Sequence, residues 1–160
     1  MQPHATLVSA IECLSVQPKE RSELPKKRVL ILCTGNSARS QMAEGMLRHE
    51  FGDRYEVFSA GTNPRPVRPE AIAVMQELGI DISHQRSKHV DEFIGLHFDY
   101  VLTVCDNAKE SCPIFPGKSV TFHHNFEDPA AFHGSEDERL AFFRRVRAEI
   151  QQYLRKVPPR

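Results

Sequence analysis

The sequence predicts an α/β domain built as a three-layer open sheet of four parallel strands flanked by helices. Three observations carry this. Apolar runs short enough for buried strands recur along the body, and helical patterns separate them. In addition, 160 residues are enough for one ordinary core. Strands that alternate with helices require right-handed crossovers, which place the strands parallel and cover both faces of the sheet.

Arg28–Leu32 is a continuous apolar run suited to the central strand. Ser37–His49 reads as a helix, with Ala38, Met42, Met46 and Leu47 on its inner face. Tyr55–Ser59 is a short strand ending in Ala60-Gly61. Pro69 suits the first turn of a helix that carries Ile72, Met75 and Leu78 inward and closes at Gly79. Phe98–Val104 is a second buried strand, and Lys118–Phe122 a weaker fourth one. Ser135 with Glu138 forms a capping box for the last helix, whose stripe is Leu140, Phe143, Val146, Ile150 and Leu154. The body is therefore 28–154, followed by a tail, 155–160. Residues 1–27 form an N-terminal extension: Leu7, Ile11 and Leu14 share a helical face, while 17–27 is polar with Pro18 and Pro25. It reads as a short helix and linker, or as disordered chain, and Cys13 in it reads as a buried or incidental thiol rather than a participant.

In open parallel sheets, ligands bind beyond the carboxyl ends of the strands. Cys33 follows the first strand there and opens the segment CTGNSARS, which ends in Arg39 and Ser40 before the helix. Gly35 permits a turn that a β-carbon would resist, and a loop running onto a helix N-terminus aims N–H groups inward. Thr34, Gly35, Asn36, Ser37, Ala38, Arg39 and Ser40 thus outline an oxyanion cradle. Its donors are expected to lower the Cys33 pKa, with Ser40 as a further donor to the thiolate. Arg39 grips two oxygens through its planar fork. Asn36 is expected to lock the loop rather than touch substrate. Glu44 reads either as a surface carboxylate or as an internal brace.

Cys105 and Cys112 are seven residues apart, and Cys105 also follows a strand. A helix between them would hold their α-carbons roughly 10 Å apart, beyond disulfide reach, so pairing demands local unwinding. Asp128, in Glu127-Asp128-Pro129, is placed to protonate a leaving oxygen across the cleft.

Lys plus Arg and Asp plus Glu number 21 each, so bulk charge points to neither nucleic acid nor an anionic membrane. The basic run Arg144, Arg145 and Arg147 is surrounded by Glu136, Asp137, Glu138 and Glu149, and reads as a solvated helix face. No apolar stretch reaches a membrane span, and the first residues lack the pattern of a secretory signal. Four cysteines, clustered for chemistry rather than spread as staples, suit a reducing cytoplasm, and no spacing supports a metal site.

Taken together, VLILCTGNSARSQMAEG, FSAGT, PVRPEAI, LGIDIS, RSKHVDEF, VLTVCDNAKESCP and EDPA resemble the thioredoxin-coupled arsenate reductases that share the low-molecular-weight protein tyrosine phosphatase fold. The resemblance spans residues 28–154. It implies that Cys33 attacks arsenic, that Arg39 and the loop amides bind the oxyanion, and that Asp128 is the general acid. It also implies that Cys105 then attacks Cys33, releasing arsenite, and that Cys112 attacks Cys105. The Cys105–Cys112 disulfide would be left for thioredoxin, with no tightly bound cofactor and a monomeric enzyme. Some relatives bind potassium through residues matching Asn36, Glu44 and Ser59 with an aspartate at the position of Lys88. The resemblance with that one change implies an ammonium in place of the ion. Ala38 replaces a cysteine common among relatives, Ala130 replaces an aromatic residue usual in tyrosine phosphatases, and His124-Asn125 replaces Trp-Gly. A tyrosine phosphatase and a non-enzymatic redox or oxyanion sensor are the alternative functions. Glutaredoxin with glutathione is the alternative donor.

Overall fold

The computed structural model describes residues 25–159. The extension's apolar stripe and Cys13 lie outside the described residues. The elements in chain order are β1 (Lys27–Cys33), α1 (Arg39–Phe51), β2 (Tyr55–Gly61), α2 (Pro69–Gln76), β3 (Tyr100–Thr103), α3 (Asp106–Glu110), β4 (Val120–His123) and α4 (Glu136–Leu154). The four strands form one parallel sheet in the order β2-β1-β3-β4.

β1 is central, and Val29, Leu30, Ile31 and Leu32 have no exposed surface. Successive side chains of a strand point to opposite faces, so this run requires cover on both. Phe58, Phe93, Phe98 and Phe115 meet edge to face beside the sheet, with centroids 5.2–5.9 Å apart. The chain proceeds from β1 to β2 on one side and returns to β3 on the other. The carboxyl end of β1 is therefore the switch point of the topology, where a crevice opens.

Local differences from the sequence reading have physical causes. α1 starts at Arg39 rather than Ser37, because Asn36 at φ 46° and Ala38 at φ −136° keep the preceding residues in the loop. α2 buries Ala71, Val74 and Met75, whereas Ile72 is half-buried and Leu78 exposed. The helix ends at Gln76, so Leu78 lies in the turn before Gly79 and never joins the helical face. On α4, Ser135 accepts from the Glu138 N–H at 3.2 Å, and Phe143, Val146, Ile150 and Leu154 are buried. Arg144 and Arg145 are exposed, as a solvated face requires, and Arg147 is half-buried; all three are paired. Arg144 pairs with both Glu77 oxygens, Arg147 bonds the Val74 carbonyl at 2.6 Å, and Arg145 pairs with Glu127 at 2.5 Å. They tie α4 to α2 and to the loop that carries Asp128.

After α4 the chain packs back on the body. Pro158 is buried, and the Tyr55 hydroxyl donates to the Pro159 carbonyl at 2.8 Å.

Candidate active site

The loop after β1 is held from outside by the segment that follows β2. The N–H groups of Thr62, Asn63, Arg65 and Arg68 donate to the carbonyls of Cys33, Thr34, Gly35 and Ser37 at 3.4, 2.9, 2.8 and 2.9 Å. The Asn36 carbonyl accepts from the Gln41 and Ser87 side chains at 2.9 and 2.6 Å. With its carbonyls turned outward and satisfied, the loop keeps its N–H groups for the inside. That is the arrangement of an anion-binding nest. Gly61 makes the zipper possible: a β-carbon there would stand 2.4 Å from the Thr34 carbonyl oxygen and 2.9 Å from the Asn36 nitrogen.

Asn36 locks the loop, as its residue type suggested. Its amide donates to Ser40 Oγ at 2.8 Å and Ser59 Oγ at 2.9 Å, and its oxygen accepts from the Lys88 N–H at 2.9 Å. Glu44 is an internal brace, only 4% exposed. It accepts from the Ser59 hydroxyl and from Arg48 Nη2 at 2.5 Å, and Lys88 Nζ stands 3.8 Å from its carboxylate. Burial pushes the Lys88 pKa down, and the charge of Glu44 opposes that shift.

Inside the loop, Cys33 is 3% exposed and Arg39 is 8% exposed. Arg39 Nη1 donates to the Phe126 carbonyl at 2.8 Å and Nη2 lies 3.6 Å from Asp128 Oδ2, while Nε is buried without a hydrogen-bond partner. A buried, unpaired guanidinium N–H beside a cysteine calls for an acceptor, and a tetrahedral oxyanion supplies one. Asp128 caps a 3-10 turn, Pro129–Ala131, by accepting from the Ala130 N–H at 3.0 Å. The His124 ring packs on Phe126 and Tyr153, with centroids 4.3 and 5.0 Å away, and so fills the stretch ahead of the acid. Thr34, Gly35, Ser37, Ala38, Arg39 and Asp128 line one cleft of about 490 Å³.

Cys105 is the N-cap of α3 and lies against Cys33. Its sulfur accepts from the Ala108 N–H at 3.4 Å and sits 3.3 Å from Thr34 Oγ1. The two thiols shift in opposite directions. Donation to Cys105 and then burial push the Cys33 thiol well above its ordinary range, against the pull of Arg39 and the Gly35 N–H. The hydrogen bond from Cys33, together with those from Thr34 and Ala108 and the charge of Arg39, draws Cys105 down to about 5. The lowered Cys33 pKa expected from the sequence is therefore overturned: the bond to Cys105 and burial outweigh the downward pull of Arg39 and the Gly35 N–H.

Cys112 lies apart, half-buried in a groove of about 350 Å³ with Val101, Pro113 and Phe115. Burial raises its thiol pKa, and Sγ donates to the Pro113 carbonyl at 3.5 Å. All three described cysteines are free. Between the last two, α3 buries a single residue, Ala108, and is held at its first turn by polar ties. Asp106 bonds His123 Nε2 at 2.8 Å and donates its N–H to Asn125 at 3.3 Å, and Asn107 donates to Thr34 at 3.2 Å. His123 in turn meets the Thr103 hydroxyl at 2.7 Å. Neither His123 nor the pair Arg65 and Arg68 at the cleft rim stood out in the sequence, because their partners are distant along the chain.

Among the described residues, no cluster of three or more His, Cys, Asp or Glu side chains is placed to hold a metal, and no helix is long and apolar enough to cross a membrane.

A parallel α/β sheet with a cysteine and an arginine on an amide-lined loop at the switch point defines the class of enzymes that attack tetrahedral oxyanions through sulfur. The low molecular weight phosphotyrosine protein phosphatase family model matches residues 28–158. The arsenate reductase of Bacillus licheniformis is 44% identical over 133 residues, covering 83% of this chain and 96% of that protein. A solved arsenate reductase in its oxidized state superposes with a TM-score of 0.71 at 31% identity, covering 82% of this chain and 95% of that one. A thioredoxin-dependent arsenate reductase of Corynebacterium glutamicum superposes with a TM-score of 0.58 at 28% identity, covering 83% and 62%. The chain belongs to the low molecular weight phosphotyrosine protein phosphatase family and, within it, to the arsenate reductase group.

Proposed function

We propose that this enzyme reduces arsenate to arsenite through three cysteines, with thioredoxin as the electron donor. The observation that carries the reading is the contact of Cys105 with Cys33 at the base of the oxyanion cleft. Ester hydrolysis needs one thiolate, whereas a two-electron reduction needs a second thiol beside the first.

A proton moves from Cys33 to Cys105 along their hydrogen bond, and the Cys33 thiolate attacks arsenic. An S–As bond forms, one As–O bond breaks, and Asp128 delivers the proton that lets the oxygen leave as water. Arg39 and the loop N–H groups hold the remaining oxygens. With Cys33 bonded to arsenic, the Ala108 N–H, Thr34 and Arg39 still favour the thiolate of Cys105. Cys105 passes the proton it took from Cys33 to an oxygen of the bound arsenic group and, as a thiolate, attacks the Cys33 sulfur. The S–As electron pair passes to arsenic, which leaves as arsenite, and a Cys33–Cys105 disulfide remains. Cys112 then attacks Cys105 and returns Cys33 as a thiolate. For that exchange α3 must open, and its single buried residue and polar ties make it a low-stability unit suited to doing so. Thioredoxin reduces the final Cys105–Cys112 bond, a donor that the Corynebacterium relative supports.

Asn36, Ser59, Glu44 and Lys88 act behind the loop. The Lys88 ammonium joins Arg48 in balancing Glu44, so turnover needs no potassium. The protein is expected to work as a monomer in a reducing cytoplasm.

The test is arsenite release from arsenate with thioredoxin, thioredoxin reductase and NADPH. Multiple turnovers are expected. Release supported only by glutaredoxin and glutathione would overturn the donor. Fast aryl phosphate hydrolysis without arsenite release would assign a phosphatase, for which Cys33, Arg39 and Asp128 also suffice.

A further inference from the structure

The cleft is larger than an inorganic oxyanion requires. At about 490 Å³ it lies within the range of small-molecule pockets. An oxyanion built of four oxygens fills roughly 120 Å³ of it, at about 30 Å³ for each water-sized group. Beyond the loop, the wall is made of Asn63, Arg65, Pro66, Val67, Arg68 and Pro69.

Arg68 sits where a cation is disfavoured. It is the N-cap of α2, at the positive end of the helix dipole, and its side chain makes no capping bond. It is nonetheless fixed in place. Its N–H is zipped to the Ser37 carbonyl at 2.9 Å, and Nη2 bonds Glu70 at 3.2 Å. Glu70 is held in turn by Arg139 from α4 at 3.4 Å. Arg68 Nε has no hydrogen-bond partner, and Arg65 forms no ion pair among the described residues. Across the cleft, three arginines thus face one aspartate, Asp128. A cation placed against the dipole and braced by a second helix has a use on the side facing the cleft.

We infer that Arg65 and Arg68 form a second anion subsite, so that the cleft accepts phosphomonoesters and phosphonates whose organic part carries a carboxylate. The inference rests on the reading that Cys33 and Arg39 seat the tetrahedral group. A bound monoester then reacts without redox change. The Cys33–P bond forms as the ester P–O bond breaks, Asp128 protonates the leaving oxygen, and water later cleaves S–P to return the thiolate.

Binding is measured calorimetrically on the reduced full chain with propylphosphonate and with 3-phosphonopropionate, which has nearly the same shape plus a carboxylate. The carboxylated ligand is expected to bind about tenfold more tightly, the effect of one charge-assisted bond. Arg68→Met is expected to reduce that ratio to about twofold while leaving propylphosphonate within about twofold of wild type. Arg65→Met, at an exposed position, is expected to reduce it partly and serves if Arg68→Met does not fold. Equal binding of the two ligands to wild type, or an undiminished ratio in both variants, overturns the subsite. Failure of wild type to bind either phosphonate overturns instead the oxyanion reading beneath it.

Discussion

Replacing Asn36 by alanine tests the loop lock most sharply. The side chain is fully buried and makes hydrogen bonds to Ser40, Ser59 and the Lys88 N–H, at 2.8, 2.9 and 2.9 Å. Each such bond is worth about 1 kcal/mol net, and the buried Lys88 donor left behind adds a further ~1 kcal/mol or more. Alanine must also keep φ near 46°, a left-handed conformation that costs roughly 1 kcal/mol without the local bonds of asparagine. The sum is about 3–5 kcal/mol, a large part of the roughly 5–15 kcal/mol typical of a whole domain. With an m value of about 2 kcal/mol/M, the urea midpoint is expected to fall by ~2 M at unchanged m. Asn36→Gly removes the bonds but relieves the torsion, so it is expected to recover only ~1 kcal/mol of the loss. Phosphate affinity is expected to fall in both variants. A loss under ~1 kcal/mol in Asn36→Ala, or full recovery in Asn36→Gly, would refute the hydrogen-bonded lock.

Gly61→Ala forces the loop away from β2, because the new carbon meets backbone atoms rather than a flexible side chain. It is expected to cost about 1–3 kcal/mol and, by displacing the loop, ~10²-fold in arsenate reduction; wild-type turnover would count against the zipper. Cys105, with its pKa lowered to about 5, binds fewer protons when folded than when unfolded, so its contribution to stability rises from pH 5 toward 9 and is lost as pH falls through 5. Cys33, shifted upward, works in the opposite direction above pH 9. Urea midpoints across pH are expected to show that rise in wild type and to lose it in Cys105→Ser; parallel curves would contradict the lowered Cys105 pKa. Lys88→Met leaves Glu44 with Arg48 as its one remaining cation, and is expected to make turnover several-fold slower and newly responsive to potassium. An unresponsive variant would remove Lys88 from that role.

The strands, the loop and the three cysteines were legible in the sequence because their signals are local: apolar runs, a cysteine and an arginine bracketing a glycine turn, and a capping serine. Asn36 is legible by residue type and by its Ser40 contact, but Ser59 and the Lys88 N–H, its other partners, lie 23 and 52 positions away. What escaped depends on partners far along the chain. The phase of α2 turns on where the helix stops, which hydrophobic spacing does not record. The arginines of α4 find Glu77 and Glu127 as well as the neighbouring acid Glu149. The opposite pKa shifts of Cys33 and Cys105 follow from the meeting of two loops 72 positions apart, and only the sheet order β2-β1-β3 brings those loops together.

The relay itself is tested most directly by one experiment. Reduced Cys112→Ser and wild type are given arsenate without any external reductant, and the disulfides are mapped by peptide mass spectrometry. Wild type is expected to end with Cys105–Cys112. The variant is expected to release at most one arsenite per chain and to stop at Cys33–Cys105. A Cys112→Ser protein that turns over repeatedly once thioredoxin is restored, or that forms no Cys33–Cys105 bond, would contradict the three-cysteine account.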